Sequence, residues 1–230
     1  MKKNLSLYGF AAFALIASSS ASATLLDYSY TNLGVTGGEV YNSVSMTVDG
    51  IAVDVTAYTI ENNGAGLISS MAQITGTGLG VYVSSSASGN LGVLSSSSGD
   101  GTNMDGGGSA SDPDEGLLFT FSEAVSLSYI NFDSFGSGDD FNLTVDGVTL
   151  LWDFNDSDLP NPLVPGSPDN DEFLFSGISG TEFLFWVDSD SDSMRIDRMR
   201  VDRVSVSEPA TLALMGLGLA WLGFRKKRQA

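Results

Sequence analysis

The sequence contains no cysteine and no histidine among its 230 residues. Disulfides are therefore excluded, and so are a Ser-His-Asp triad, a Cys-His dyad and any histidine-ligated zinc or iron site. Lysine is absent from residues 4 to 225, and only four arginines stand between residues 4 and 224. All 28 acidic side chains lie between residues 24 and 208. Such a surface repels nucleic acid and anionic lipid, and it suits divalent cations or simple solubility outside the cell.

No amphipathic helix is evident before the C-terminal tail, whereas strand patterns recur along the whole body of the chain. Residues 51–60 alternate well, and Asp49-Gly50 and Asp146-Gly147 are typical of hairpin turns. Ser193–Val206 forms the last predicted strand, and its slipped alternation between Ile196 and Met199 predicts a bulge. Further strands are predicted at 41–48, 67–74, 79–83, 117–121, 124–132, 140–145, 148–154, 172–175 and 181–187.

These short strands predict an all-β ectodomain over residues 24–206, folded as a two-sheet, jelly-roll-like β-sandwich. Residues 84–116 are rich in serine, glycine and aspartate, which predicts a long loop that is either functional or locally disordered. Phenylalanines at strand spacing predict the core: Phe119, Phe121, Phe132, Phe173, Phe175, Phe183 and Phe185. Trp152 and Trp186 stand off the main apolar spacing, so each is either a packing residue or a platform on which a sugar ring could stack.

The N-terminus has the composition of a cleavable signal peptide over residues 1–23. Lys2 and Lys3 precede a short apolar stretch, and Ala21-Ser22-Ala23 offers the small side chains that signal peptidase requires. We expect cleavage after Ala23. The alternative is an uncleaved membrane anchor.

The C-terminus has a different pattern, in which residues 210–224 are apolar apart from Thr211. This predicts a short transmembrane helix, below the ~20 residues that span a bilayer comfortably, as suits a temporary anchor. The positive-inside rule keeps the following basic residues, Arg225, Lys226, Lys227 and Arg228, on the cytoplasmic side. A buried C-terminal helix of a soluble domain is the alternative.

Glu208-Pro209-Ala210, the apolar segment with its Gly-Leu pairs and the basic end together resemble the PEP-CTERM sorting signal of exosortase-dependent surface proteins. Ser207 stands where that family usually has the first proline of Pro-Glu-Pro. The resemblance implies transient anchoring in the inner membrane of a Gram-negative bacterium, and processing by an exosortase-like enzyme. It also implies a final place at the cell surface or in the extracellular matrix, in association with extracellular polysaccharide. Residues 79–148 are similar to a region of other exosortase-dependent surface proteins, which implies a surface β-domain.

Two groups of acidic residues are candidate calcium ligands, because calcium prefers clustered hard oxygens. Asp188, Asp190 and Asp192 alternate in a turn, although Ser193 and Met199 stand where an EF-hand needs glycine and glutamate. The second group lies in or beside the long loop and comprises Asp100, Asp105, Asp112, Asp114 and Glu115, and a third contribution from Asp133, Asp139 and Asp140 is open. The alternative for each group is a solvated acidic turn.

No motif for catalysis stands out. A glycosidase needs two opposed carboxylates, but nothing singles out Glu123, Glu172 or Glu182 among the 28 acidic residues. The sequence therefore favours a non-enzymatic exported protein. A calcium-dependent carbohydrate-binding module and a carboxylate-based polysaccharide hydrolase remain as alternatives.

Overall fold

The computed structural model describes residues 23–27, 40–41, 43–60, 71–72, 82–85, 91–94, 103–106, 114–189 and 191–204. Their strands pair antiparallel throughout. In chain order they are β1 (Ala23–Asp27), β2 (Val40–Tyr41), β3 (Ser43–Val48), β4 (Ile51–Ile60), β5 (Met71–Ala72), β6 (Tyr82–Ser85), β7 (Leu91–Leu94), β8 (Met104–Asp105), β9 (Asp114–Asp133), β10 (Phe141–Val145), β11 (Val148–Phe154), β12 (Gly166–Asp169), β13 (Glu172–Trp186) and β14 (Ser193–Arg203). The all-β prediction is confirmed.

Both predicted hairpins form where the sequence places them. Asp49 and Gly50 have φ of 51° and 78°, and Asp146 and Gly147 have φ of 46° and 80°. Two successive positive φ angles are typical of a type I′ turn, whose twist matches that of the flanking strands. These turns join β3 to β4 and β10 to β11.

Two long strands, β9 and β13, pair with each other along most of their length. On one edge, β9 pairs with β4 through its first half and with β14 through its second half, while β13 runs along the other edge. The sequence predicts two short strands in place of each. Ser122 and Glu123 in β9, and Ser176 and Gly177 in β13, are exposed at the breaks in the apolar pattern. The pairing register between β9 and β13 shifts near these breaks. Both strands therefore bend there and continue beyond the break.

One hydrophobic core contains buried residues from most of these strands. The rings of Phe132 and Phe185 lie 6.1 Å apart, and those of Phe141 and Phe173 lie 5.1 Å apart. All seven phenylalanines predicted for the core are buried. A second, smaller cluster of Ile60, Leu184 and Trp186 lies on the opposite face of β13, because neighbouring residues of a strand alternate between faces.

The segment predicted as a long loop contains two short strands, β7 and β8. They form at its apolar residues, Leu91, Val93, Leu94 and Met104, and both pair with β14. The bulge predicted in β14 is confirmed by a register shift between Ile196 and Arg198.

Among the described residues, no helix has the length and apolar character needed to cross a membrane. The predicted signal peptide, up to residue 22, and the predicted transmembrane helix lie outside the described part of the chain.

Candidate metal centre

Three aspartates from different parts of the chain meet at one end of the sheet. Asp140 directly precedes β10, Asp188 follows β13, and Asp192 directly precedes β14. Because Asn142 pairs with Trp186 in the antiparallel β10–β13 ladder, Asp140 and Asp188 are both two residues beyond the same pair. One carboxylate oxygen from each of the three residues lies within 4.8 Å of the other two.

Asp192 is the most deeply buried of the three, with 1% of its surface exposed. Its backbone N–H donates to the carbonyl oxygen of Ser189 at 3.0 Å, and its carbonyl oxygen accepts from the N–H of Gly106 at 3.4 Å. Its Oδ1 accepts from the N–H of Asp140 at 3.4 Å. A side chain at position 106 would collide with the backbone of Ser189, so glycine is required for β8 to approach this turn.

Asp188 is oriented by the fully buried Asn142 of β10. The Nδ2 of Asn142 donates to Oδ1 of Asp188 at 3.3 Å, and its Oδ1 accepts from the N–H of Asp153 at 3.0 Å. Asn142 therefore links β11 to the aspartate cluster and fixes the position of one carboxylate.

All three carboxyl groups have pKa values above their ordinary value. Burial, followed by the hydrogen bond and the charge of Asp140, raises the pKa of Asp192 to about 8. Burial and the charge of Asp153 raise the pKa of Asp188 to about 6. Burial also raises the pKa of Asp140, with the charges of nearby aspartates acting in the same direction. The cluster therefore gathers negative charge at a cost in stability.

The second predicted group of ligands is only partly described. Asp105, Asp114 and Glu115 lie on β8 and β9, and Glu115 Oε2 accepts from the N–H of Asp105 at 3.3 Å. The charge of Asp114 also contributes to the raised pKa of Asp188. Asp100, Asp112 and Asp190 lie outside the described residues.

The two tryptophans singled out in the sequence are in contact but differ in exposure. Trp186 is 1% exposed, and its Nε1 donates to Oγ1 of Thr144 at 3.4 Å. Trp152 is 39% exposed and meets the ring of Trp186 edge-on at 5.2 Å. Trp186 is therefore a packing residue, and Trp152 keeps a surface on which a ligand could stack.

The three glutamates considered for catalysis differ in their surroundings. Glu123 forms a salt bridge with Arg203 at 3.0 Å, and Glu172 accepts from the hydroxyl group of Tyr129 at 2.8 Å. Burial, with that hydrogen bond, raises the pKa of Tyr129 to about 12. Glu182 is exposed on β13.

Asp133 and Asp139 have other partners. Asp133 forms a salt bridge with Arg195 at 2.6 Å, and Asp139 accepts from the N–H of Gly136 at 2.5 Å. Of the third predicted group, only Asp140 joins the cluster. The sequence pattern does not single out Asn142. Its position beside Asp188 follows from the register in which β10 pairs with β13.

The described fold defines the class of the molecule as an all-β antiparallel protein with a carboxylate cluster at one end of its sheet. Residues 205–228 match the family model of the PEP-CTERM protein-sorting motif. The chain therefore carries this sorting motif, as its C-terminal residues predicted. The motif supports export, transient membrane anchoring through the C-terminal region and exosortase-dependent sorting. No curated protein and no solved structure matches the chain.

Proposed function

We propose that this protein is a non-enzymatic component of the bacterial cell surface or extracellular matrix. An exosortase-like enzyme of a Gram-negative host releases it from the inner membrane, and the mature body associates with extracellular polysaccharide. The observation that carries the proposal is the sorting motif at residues 205–228. Its body, which we take to be a jelly-roll-like β-sandwich, has the all-β fold and the excess of acidic residues that suit an exported, soluble domain.

The lack of enzymatic activity in this proposal is supported by composition and geometry. The chain has no histidine or cysteine to act as general base or thiol nucleophile. The described aspartate cluster brings three carboxylates together, an arrangement that suits a cation more than the two opposed carboxylates of a glycosidase.

Sorting is tested by expressing the full chain in a host with an exosortase and in the same host with the exosortase gene deleted. Mass spectrometry of the surface fraction should find no peptide containing Trp221 when the enzyme is present. In the deletion host, the intact tail should remain in the membrane fraction. Replacing Arg225, Lys226, Lys227 and Arg228 with glutamine should prevent processing, whereas Asp54→Asn, in the exposed part of β4, should not. Equal processing in both hosts would refute the proposed route.

A calcium-dependent carbohydrate-binding module is the second candidate function, and the exposure of Trp152 favours it. Leu150 and Val148 are also exposed on β11, 38% and 59% respectively, so an apolar stripe surrounds the indole ring. Asn142 connects this strand to Asp188 of the aspartate cluster.

Glycan-array binding with calcium and with a chelator tests this candidate. Trp152→Ala should abolish calcium-dependent retention of polysaccharide, and Val204→Ala, another exposed apolar position at 39%, should leave it unchanged. No retention in either condition would eliminate the candidate without affecting the sorting proposal.

A further inference from the structure

The aspartate cluster has the chemistry of a site for a hard divalent cation. Each of its ligand atoms is a carboxylate oxygen, the donor type that calcium and magnesium prefer over the softer metals. A calcium ion holds oxygens at about 2.3–2.6 Å, so a single ion can contact oxygens up to about 5 Å apart. The 4.8 Å limit on the separations in this cluster fits that span.

A second observation points to a ligand independently of the clustering. Asp192 is 1% exposed, and its Oδ2 has no hydrogen-bond partner within the part of the chain that the structure describes. The same holds for the buried Oδ1 of Asp140. A buried carboxylate oxygen without a partner costs stability, and such atoms are rare in folded proteins unless an ion or a water molecule completes them.

The surroundings do not supply a compensating positive side chain. The salt bridges of the described residues join Arg195 to Asp133, Arg198 to Asp197 and Arg203 to Glu123, so none of them includes a member of the cluster. Gathering three carboxylates without a counter-ion is unfavourable, and a divalent cation would remove this cost.

We propose that Asp140, Asp188 and Asp192 bind one calcium ion at the end of the sheet where β10, β13 and β14 meet. The three carboxylates can supply up to six of the roughly six to eight oxygens that calcium takes, with water or carbonyl oxygens completing the shell. Because Asp140 and Asp188 flank paired strands and Asp192 directly precedes the next strand, the ion would link three segments of the chain. Calcium thus stabilises the folded domain, and this role does not depend on the sorting route or on glycan binding.

The test uses the full-length chain in detergent, stripped of metal with a chelator. Addition of calcium chloride should raise the thermal midpoint in a dose-dependent manner, well beyond sodium chloride of matched ionic strength. Isothermal titration calorimetry should show about one calcium per chain. Magnesium chloride should have a weaker effect, because magnesium demands a tighter octahedral shell at about 2.0–2.1 Å.

Two variants and a matched control identify the site. Asp192→Asn replaces one carboxylate oxygen with an amide nitrogen and prevents the side chain from ionising, without changing its size, and it should reduce the calcium-induced shift to the ionic-strength background. Asp188→Asn, at a half-buried position, should do the same and provides a second test if the Asp192 variant folds poorly. Asp54→Asn, an exposed carboxylate on β4, should retain the full shift.

The proposal is overturned by the absence of a calcium-specific shift in the wild-type chain. It is also overturned if both cluster variants keep the full shift, or if magnesium stabilises as strongly as calcium. None of these results bears on processing of the tail, so a failure here remains distinct from a failure of the proposed function.

Discussion

Individual aspartates of this protein differ in charge behaviour according to the hydrogen bonds they receive. Asp146 accepts from the N–H and Oγ1 of Thr181 and from the N–H of Glu182, at 2.9 to 3.1 Å. Burial acts to raise its pKa, but these bonds together outweigh burial and lower the pKa below its ordinary value. For Asp192, burial together with the side-chain hydrogen bond and the charge of Asp140 outweighs the one long backbone bond that it accepts, and its pKa is raised. The partners of a carboxylate, rather than its residue type, decide which form the fold favours.

This contrast predicts a pH-dependent effect of Asp146→Asn. A lowered pKa in the folded state means that the ionised carboxylate stabilises the fold above its unfolded pKa of 3.8, and that this contribution is lost as pH falls through the folded pKa. The wild-type chain should therefore have a higher thermal midpoint than the variant at pH 7, and the gap should close below pH ~4. Asparagine tolerates the positive φ of this position, so the substitution mainly tests the charge.

Thermal melts of both proteins between pH 7 and pH 2.5 provide the measurement. A gap that stays constant through the acid range would show that the shape of the side chain matters and that its charge does not.

At the scale of elements, β13 makes close contact with the β10–β11 turn at Gly180. A Cβ at Gly180 would lie 2.5 Å from Cγ1 of Val145 and 2.7 Å from Oδ2 of Asp146. Real Cβ atoms essentially never approach so closely, and Val145 is buried against the core. Any larger residue at position 180 must displace the side chains of Val145 and Asp146 or the turn that carries them.

Gly180→Ala should therefore destabilise the fold by ~1–3 kcal/mol, the usual cost of overpacking. Gly138→Ala is the matched control, because a Cβ there meets nothing within 4 Å, and it should change stability by less than ~0.5 kcal/mol. Urea unfolding followed by circular dichroism measures both. Equal stability of the two variants would contradict the role assigned to this contact.

Most individual strands could be predicted because they depend on local patterns. The boundaries of β4 and β11 match the sequence prediction at both ends, since alternation and an Asp-Gly turn mark them directly. The continuity of β9 and β13 could not be predicted, because a short polar interruption is compatible with either a turn or a bend. Strands β7 and β8 are too short to show alternation; β7 pairs with β6 along its length and with β14 at one residue, and β8 pairs with β14.

For the whole molecule, β9 and β13 pair along most of their length, and the phenylalanine core contains side chains from both of them and from the strands beside them. Loss of either strand would expose this shared core, which favours unfolding as a single cooperative unit. The acidic composition fits the same picture, since 28 carboxyl groups stay compatible with a compact fold when most remain at the surface or have partners.

Local patterns in the sequence were sufficient to predict the all-β class, both hairpin turns, the phenylalanine core and the sorting motif at residues 205–228. Each of these depends on neighbouring residues, through alternation, turn preference or a contiguous motif. The three-dimensional fold was needed to show that Asp140 joins Asp188 and Asp192, that Asn142 orients Asp188, and that Trp186 is buried while Trp152 is exposed. These facts depend on which strands pair and in which register, and contacts between residues distant in the chain leave no local pattern in the sequence.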